Sequence, residues 1–188
     1  MEAFLISALV VAVGEIGDKT QLLALILAAR FRRPGPIILG IVCATLLNHA
    51  LAGLLGGWIR TAIGPDVLRW GLGISFLAIA AWALKSDKLD AQPEAIGNYG
   101  AFAVTCVAFF LAEIGDKTQI ATVALAARFD SLVAVVAGTT AGMLLADVPA
   151  VLLADRASTR IPFKAIRYIA ATLFAAMGVA ALAGFNFG

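Results

Sequence analysis

Histidine and cysteine are almost absent from this chain: one His, His49, and two Cys, Cys43 and Cys106, in 188 residues. Both cysteines sit inside apolar runs, where they read as small hydrophobes on helices and not as a disulfide or a metal pair. No Cys/His cluster exists to hold copper or zinc. Serines and cysteines lie far in sequence from the only His, so no nucleophile has a base beside it. Nothing frames a nucleotide, and an enzyme is not expected. Charge is scarce too. Asp, Glu, Lys and Arg make up 14% of the chain and the formal net charge is +2, too small to argue for nucleic acid. No basic residue precedes the first apolar run, which begins at Ala3 and continues far past a signal peptide's apolar length, so it reads as a permanent first helix.

What is present is hydrophobic. Apolar residues make up 62% of the chain and the mean hydropathy is +0.97, against about 45–50% apolar in a soluble domain. One soluble core of this size could not hide that much apolar surface, and a bilayer can. A spanning helix needs about 20 mostly apolar residues. Six segments qualify, near 3–30, 35–59, 66–85, 99–127, 131–154 and 163–185, separated by turn chemistry such as Arg32-Arg33-Pro34-Gly35-Pro36 and Gly64-Pro65-Asp66. The expected fold is an all-α integral membrane protein of six transmembrane helices in one membrane domain: a three-helix repeat over 1–86, a linker over 87–98, and a second three-helix repeat over 99–188. Trp58, Trp70 and Trp82 fall at or near helix ends, as interfacial anchors do.

The repeat is explicit. Residues 15–21 and 113–119 both read EIGDKTQ, and Leu27-Ala28-Ala29-Arg30-Phe31 recurs as Leu125-Ala126-Ala127-Arg128-Phe129. Twelve of the seventeen positions from 15 to 31 are identical at an offset of 98. The same register sets Gly40 over Gly138 and His49 over Asp147. An odd number of helices per half puts the second half into the membrane with opposite polarity, the inverted-repeat plan of many transporters. With the loop after the first helix cytoplasmic, nine basic residues (Arg30, Arg32, Arg33, Lys85, Lys88, Arg156, Arg160, Lys164 and Arg167) face the cytoplasm. Three, Arg60, Arg69 and Arg128, face away, and both termini are then extracytoplasmic.

Each motif lies twelve residues into its helix, about 18 Å, near the middle of a hydrocarbon core about 30 Å thick. On a continuous helix, Glu15 and Asp18 share a face, as do Glu113 and Asp116. Four anions there need neutralising by a cation, by protons or by lysine. Lys19 and Lys117, each four residues after its Glu, are the charge partners. Two lysines against four carboxylates leave a charge near −2, the complement of one divalent ion. The donors are all oxygen: the four carboxylates as metal ligands, then Thr20, Thr118, Gln21 and Gln119. Such a set suits hard ions such as Ca²⁺, Mn²⁺ and Mg²⁺. Asn48, His49 and Asp147 are further candidates for lining the ion path or relaying protons. Gly17 and Gly115, inside the motif, either allow close packing of the two motif helices or let them unwind. The competing reading makes EIGDKT a structural helix lock.

The doubled E-x-G-D-[KR]-[ST] pattern, each copy on the first helix of a three-helix half, resembles the Gdt family of cation/proton antiporters over essentially the whole chain. The resemblance implies export of Mn²⁺ in exchange for protons, with Ca²⁺ as the other substrate of the family. It carries over to Glu15, Gly17, Asp18, Lys19 and Thr20 and to Glu113, Gly115, Asp116, Lys117 and Thr118. Long N-terminal and central extensions of eukaryotic relatives are missing, which points to a bacterial plasma (inner) membrane. The expected partners are a divalent metal ion, protons and the lipid bilayer, with no resident cofactor and the oligomeric state open. A Ca²⁺/H⁺ antiporter and a divalent cation channel are the alternatives.

Overall fold

In a computed structural model of the protein the described residues are 1–85, 100–154 and 163–184. The expected linker, with Lys88, and the loop basic residues Arg156 and Arg160 lie outside them, as do the side chains of Lys164 and Arg167. Among the described residues there are eight helices and no strand: α1 Glu2–Glu15, α2 Lys19–Phe31, α3 Pro34–Ala62, α4 Pro65–Ala83, α5 Ala101–Glu113, α6 Lys117–Arg128, α7 Leu132–Leu152 and α8 Phe163–Leu182. Three of them, α3, α4 and α7, are long and apolar enough to cross a membrane unaided.

One expectation needs correction. The segments 3–30 and 99–127 are not continuous helices. Each is two short helices meeting at the motif, α1 with α2 and α5 with α6. The cause is local. Ile16 has φ −63° and ψ 118°, Gly17 has φ +83°, and the Asp18 N–H donates to Glu15 O at 3.0 Å. Ile114 (φ −60°, ψ 122°), Gly115 (φ +74°) and the Asp116 N–H to Glu113 O bond at 3.0 Å repeat it. Both are type II turns, whose third residue needs the positive φ that glycine adopts without strain. A Cβ on Gly115 would meet nothing within 4 Å. There, backbone conformation and not close packing selects glycine.

The longest helix shows how the chain sorts its surface. α3 starts with Pro34 in its first turn, where the missing N–H is harmless. Its buried residues are Ile37, Gly40, Ile41, Ala44, Thr45, Asn48, His49, Ala52, Gly53 and Gly56, a stripe stepping by three and by one. Leu39, Leu46, Leu47, Leu51 and Leu54 face outward on the opposite side. That face would be an aggregation surface in water and is ordinary against lipid. The protein is an all-helical, multi-pass membrane protein.

The helix pairs that carry the two motifs recur with their roles exchanged between the halves. α1 packs along α7, and α5 packs along α3. α2 also rests on α7, and α6 on α3. A Cβ on Gly40 would come within 2.9 Å of Phe102 O and 2.8 Å of Thr105 Cβ. On Gly138 it would collide with Phe4 O and come within 2.9 Å of Ser7 Cβ. Phe4 and Phe102 are repeat mates, as are Ser7 and Thr105, so the absent side chains permit both close crossings. α4 and α8 pack on each other, and Phe76 stacks at 6.5 Å on Phe174, its own repeat mate.

Candidate cation site

The two turns bring four carboxylates inside the protein. Glu15 ends α1 and Glu113 ends α5, while Asp18 and Asp116 sit just before α2 and α6. All four are buried. Because the helices break between them, Glu15 and Asp18 do not share a helix face as a continuous helix would require. They are the first and last residues of one turn instead. Carboxylate oxygens of Glu15, Asp18 and Asp116 all lie within 4.8 Å of one another. Opposite ligands of a calcium-sized ion stand about that far apart. Glu113 is near the group but is held from another direction.

The lysines pair across the halves. Lys19 Nζ lies 3.1 Å from Asp116 Oδ1, and Lys117 Nζ lies 2.5 Å from Asp18 Oδ1. The sequence spacing suggested a bond within each motif, Lys to the Glu four residues earlier. Once the helix is interrupted that geometry is gone, and each lysine reaches the other motif's aspartate. The pairs differ in access: Lys117 is 6% exposed and Lys19 is 23% exposed.

The remaining candidates divide by role. Thr20 Oγ1 donates to Glu15 Oε2, and Thr118 Oγ1 lies 3.4 Å from Asp116 Oδ2. The glutamines serve the turns. Gly17 N–H donates to Gln21 Oε1 at 2.9 Å, and Gly115 N–H donates to Gln119 Oε1 at 2.7 Å. Gln21 Nε2 also donates to Ala146 O on α7 at 3.0 Å. Asn48 Nδ2 donates to Phe110 O at 3.1 Å and to Glu113 Oε2 at 3.3 Å. Thr45 Oγ1 donates to Glu113 Oε1 at 2.8 Å. Sequence reasoning passed over Thr45; its only signal was its place on the buried stripe of α3, one turn from Asn48. His49 and Asp147 are both buried, and neither His49 ring nitrogen nor Asp147 oxygen has a hydrogen-bond partner among the described residues. Asp147 stands within electrostatic range of Glu15 and Glu113.

The helix breaks place the C-termini of α1 and α5 and the N-termini of α2 and α6 beside this cluster. A buried, oxygen-lined site with more carboxylates than ammonium groups, set where two half-helices interrupt a membrane protein, defines a cation-handling transporter. The model of the divalent cation/proton antiporter family GDT1 matches residues 3–91 and 101–186, and the chain belongs to that family. A Vibrio cholerae protein that carries the provisional name of manganese exporter is 51% identical over 181 residues, covering 96% of this chain and 90% of that protein. A GDT1-like protein of Synechocystis is 29% identical over 195 residues, 93% of each chain. A chloroplastic GDT1-like protein of Oryza sativa subsp. japonica is 32% identical over 206 residues, 93% of this chain and 60% of the rice protein. No solved structure matches the chain.

Proposed function

We propose that the protein exports Mn²⁺ from a bacterial cytoplasm across the inner membrane in exchange for protons, with Glu15, Asp18, Glu113 and Asp116 as the ligands of the transported ion. The observation that carries this reading is the cross-pairing at the double break: four buried carboxylates from two halves, of which Asp18 and Asp116 are each paired with the lysine of the other motif. Four negative charges less two positive leave −2, which a divalent ion neutralises. The oxygen donors suit a hard cation, and manganese is the metal in the name of the 51% identical Vibrio relative.

The reading includes six spans in two inverted three-helix repeats, with both termini extracytoplasmic. The exchange of contacts between halves supports it, as does the excess of basic residues in the loops assigned to the cytoplasm. In alternating access, Mn²⁺ enters from the cytoplasm and displaces the ammonium groups from Asp18 and Asp116. The halves then rock so that the site opens outward. Protons from outside neutralise carboxylates and the ion leaves; the protonated site returns and releases its protons to the cytoplasm, and the lysines re-engage Asp18 and Asp116. Asp147 and His49, buried and without hydrogen-bond partners among the described residues, relay the protons. Thr20 and Thr118 hold carboxylates in place, and Gln21 and Gln119 hold the turns.

Purified protein in liposomes tests this directly, with Mn²⁺ and Ca²⁺ fluxes measured with and without a pH gradient. Mn²⁺ movement coupled to an opposite proton flux is expected. Ca²⁺ moved in preference would make the protein a calcium antiporter, and metal flux without proton movement would make it a channel. Glu15→Gln and Asp116→Asn should each abolish Mn²⁺ tolerance in a manganese-sensitive strain at normal expression, and retained tolerance would refute the ligand assignment.

A further inference from the structure

Away from the carboxylates, where α3, α6 and α8 end and α4 begins, a cavity of about 350 Å³ is lined by Arg60, Arg69 and Arg128, with Asp66. Arg60 is committed to Asp130. Arg69 and Arg128 form no ion pair among the described residues. Each guanidinium lies near the ring of the next residue in sequence, 5.9 Å from the Trp70 centroid and 5.8 Å from that of Phe129. Nη2 of Arg128 is buried with no hydrogen-bond partner among the described residues. Two guanidinium groups thus face the cavity against one carboxylate. A buried N–H without an acceptor is costly, and the planar guanidinium fork matches the oxygens of a phosphate.

Leu68, Leu72 and Ala127, in the wall of this cavity, also line a second cavity of about 250 Å³, bounded by α3, α4 and α6. That groove extends along α6 from Ala127 to Ile120 and is lined by apolar side chains. Its hydroxyl, on Ser75, is turned back onto Gly71 O at 2.7 Å. Seven residues of helix correspond to about 10 Å of groove. Trp58 and Trp70, both exposed beside the arginines, mark the level where headgroups meet hydrocarbon.

We infer that this pair of cavities binds a phospholipid, with its phosphodiester on Arg69 and Arg128 and part of one acyl chain in the groove between α4 and α6. Basic pockets between membrane helices suit lipid headgroups. A free phosphate would satisfy the arginines but leave the apolar groove empty; an apolar groove that shares a wall with the arginine cavity is what selects an amphiphile. The lipid would join α3 and α4 of one half to α6 of the other, so its contacts bear on how the halves move.

The test is native mass spectrometry of the full chain in detergent, titrated with phosphatidylglycerol, with inorganic phosphate as a separate competitor. A one-to-one lipid adduct is expected on the wild type. The Arg69→Gln/Arg128→Gln double variant should bind about tenfold or more weakly. Gly71→Leu should weaken binding as well, because Gly71 lines the groove and an added Cβ there meets no atom within 4 Å, which leaves room for a leucine to fill the space a chain would take. Leucine also favours the helix, so loss of lipid in that variant is not a folding defect. Wild-type retention of phosphatidylglycerol by both variants overturns the inference. So does displacement of lipid by millimolar phosphate together with undiminished binding to Gly71→Leu, which marks a simple anion site.

Discussion

The two lysine–aspartate pairs have the same chemistry at unequal depth, so they should respond unequally to the same change. Lys117→Met keeps the length of the side chain but removes the ammonium 2.5 Å from Asp18. Both side chains are nearly sealed, at 6% and 1% exposure. Removing one partner of a buried pair costs about 3–5 kcal/mol, because the other charge stays buried. Lys19 is 23% exposed beside Asp116, so water recovers part of the loss. Lys19→Met should therefore cost about 1–3 kcal/mol, between the exposed and the buried cases. The assay is denaturant unfolding of the full chain in mixed micelles with a chelator, arranged as double-mutant cycles with Asp18→Asn and Asp116→Asn. Lys117→Met/Asp18→Asn should recover most of the stability lost by Lys117→Met alone. Mn²⁺ at a hundred times its Kd should add about 2.7 kcal/mol to any variant that still binds it. Equal costs for the two lysine changes, or a double variant weaker than the single, would refute the argument.

Further outcomes follow from the same geometry. Gly115→Ala should cost about 1–2 kcal/mol with no steric contribution, since only the left-handed backbone opposes it, and Gly115→Asn should cost less; thermal unfolding in detergent reads both. Gly138→Ala should cost more, about 1–3 kcal/mol from forced separation of α7 and α1, and should lower Mn²⁺ transport while leaving the isolated turns unaffected. Thr45→Val should lose a hydrogen bond to Glu113, about 1.5–3 kcal/mol if that carboxylate is ionised and less if it carries a proton. The stability of Thr45→Val relative to wild type should therefore depend on pH, and a flat difference across pH 5–9 would contradict an exchangeable proton there.

Several features were legible before any tertiary structure. The membrane class follows from apolar content that no soluble core could absorb, and the duplication from an identical heptapeptide at constant offset. The list of buried oxygen donors was also readable, because ionisable side chains at such depth stand out against leucine and alanine. Three of the four carboxylates, Glu15, Asp18 and Asp116, come together with Glu113 nearby, and Asn48, His49 and Asp147 are buried in helices packed against them. The interruption was less visible. E-x-G-D looked like one helical turn with a costly glycine, whereas Gly17 and Gly115 occupy the third position of a type II turn.

Local spacing alone determined that the ionisable motifs lie deep within long apolar segments and that both halves carry the same chemistry. It could not say which charge meets which. The i, i+4 rule assumes a continuous helix, and once each helix breaks, a lysine can reach only what the facing half presents. Only the tertiary structure paired Lys19 with Asp116 and Lys117 with Asp18, brought Thr45 to Glu113, and set the arginines of three different helices around one cavity. Such contacts depend on how whole helices cross, and that is fixed by packing at positions like Gly40 and Gly138, far along the chain from the groups that meet.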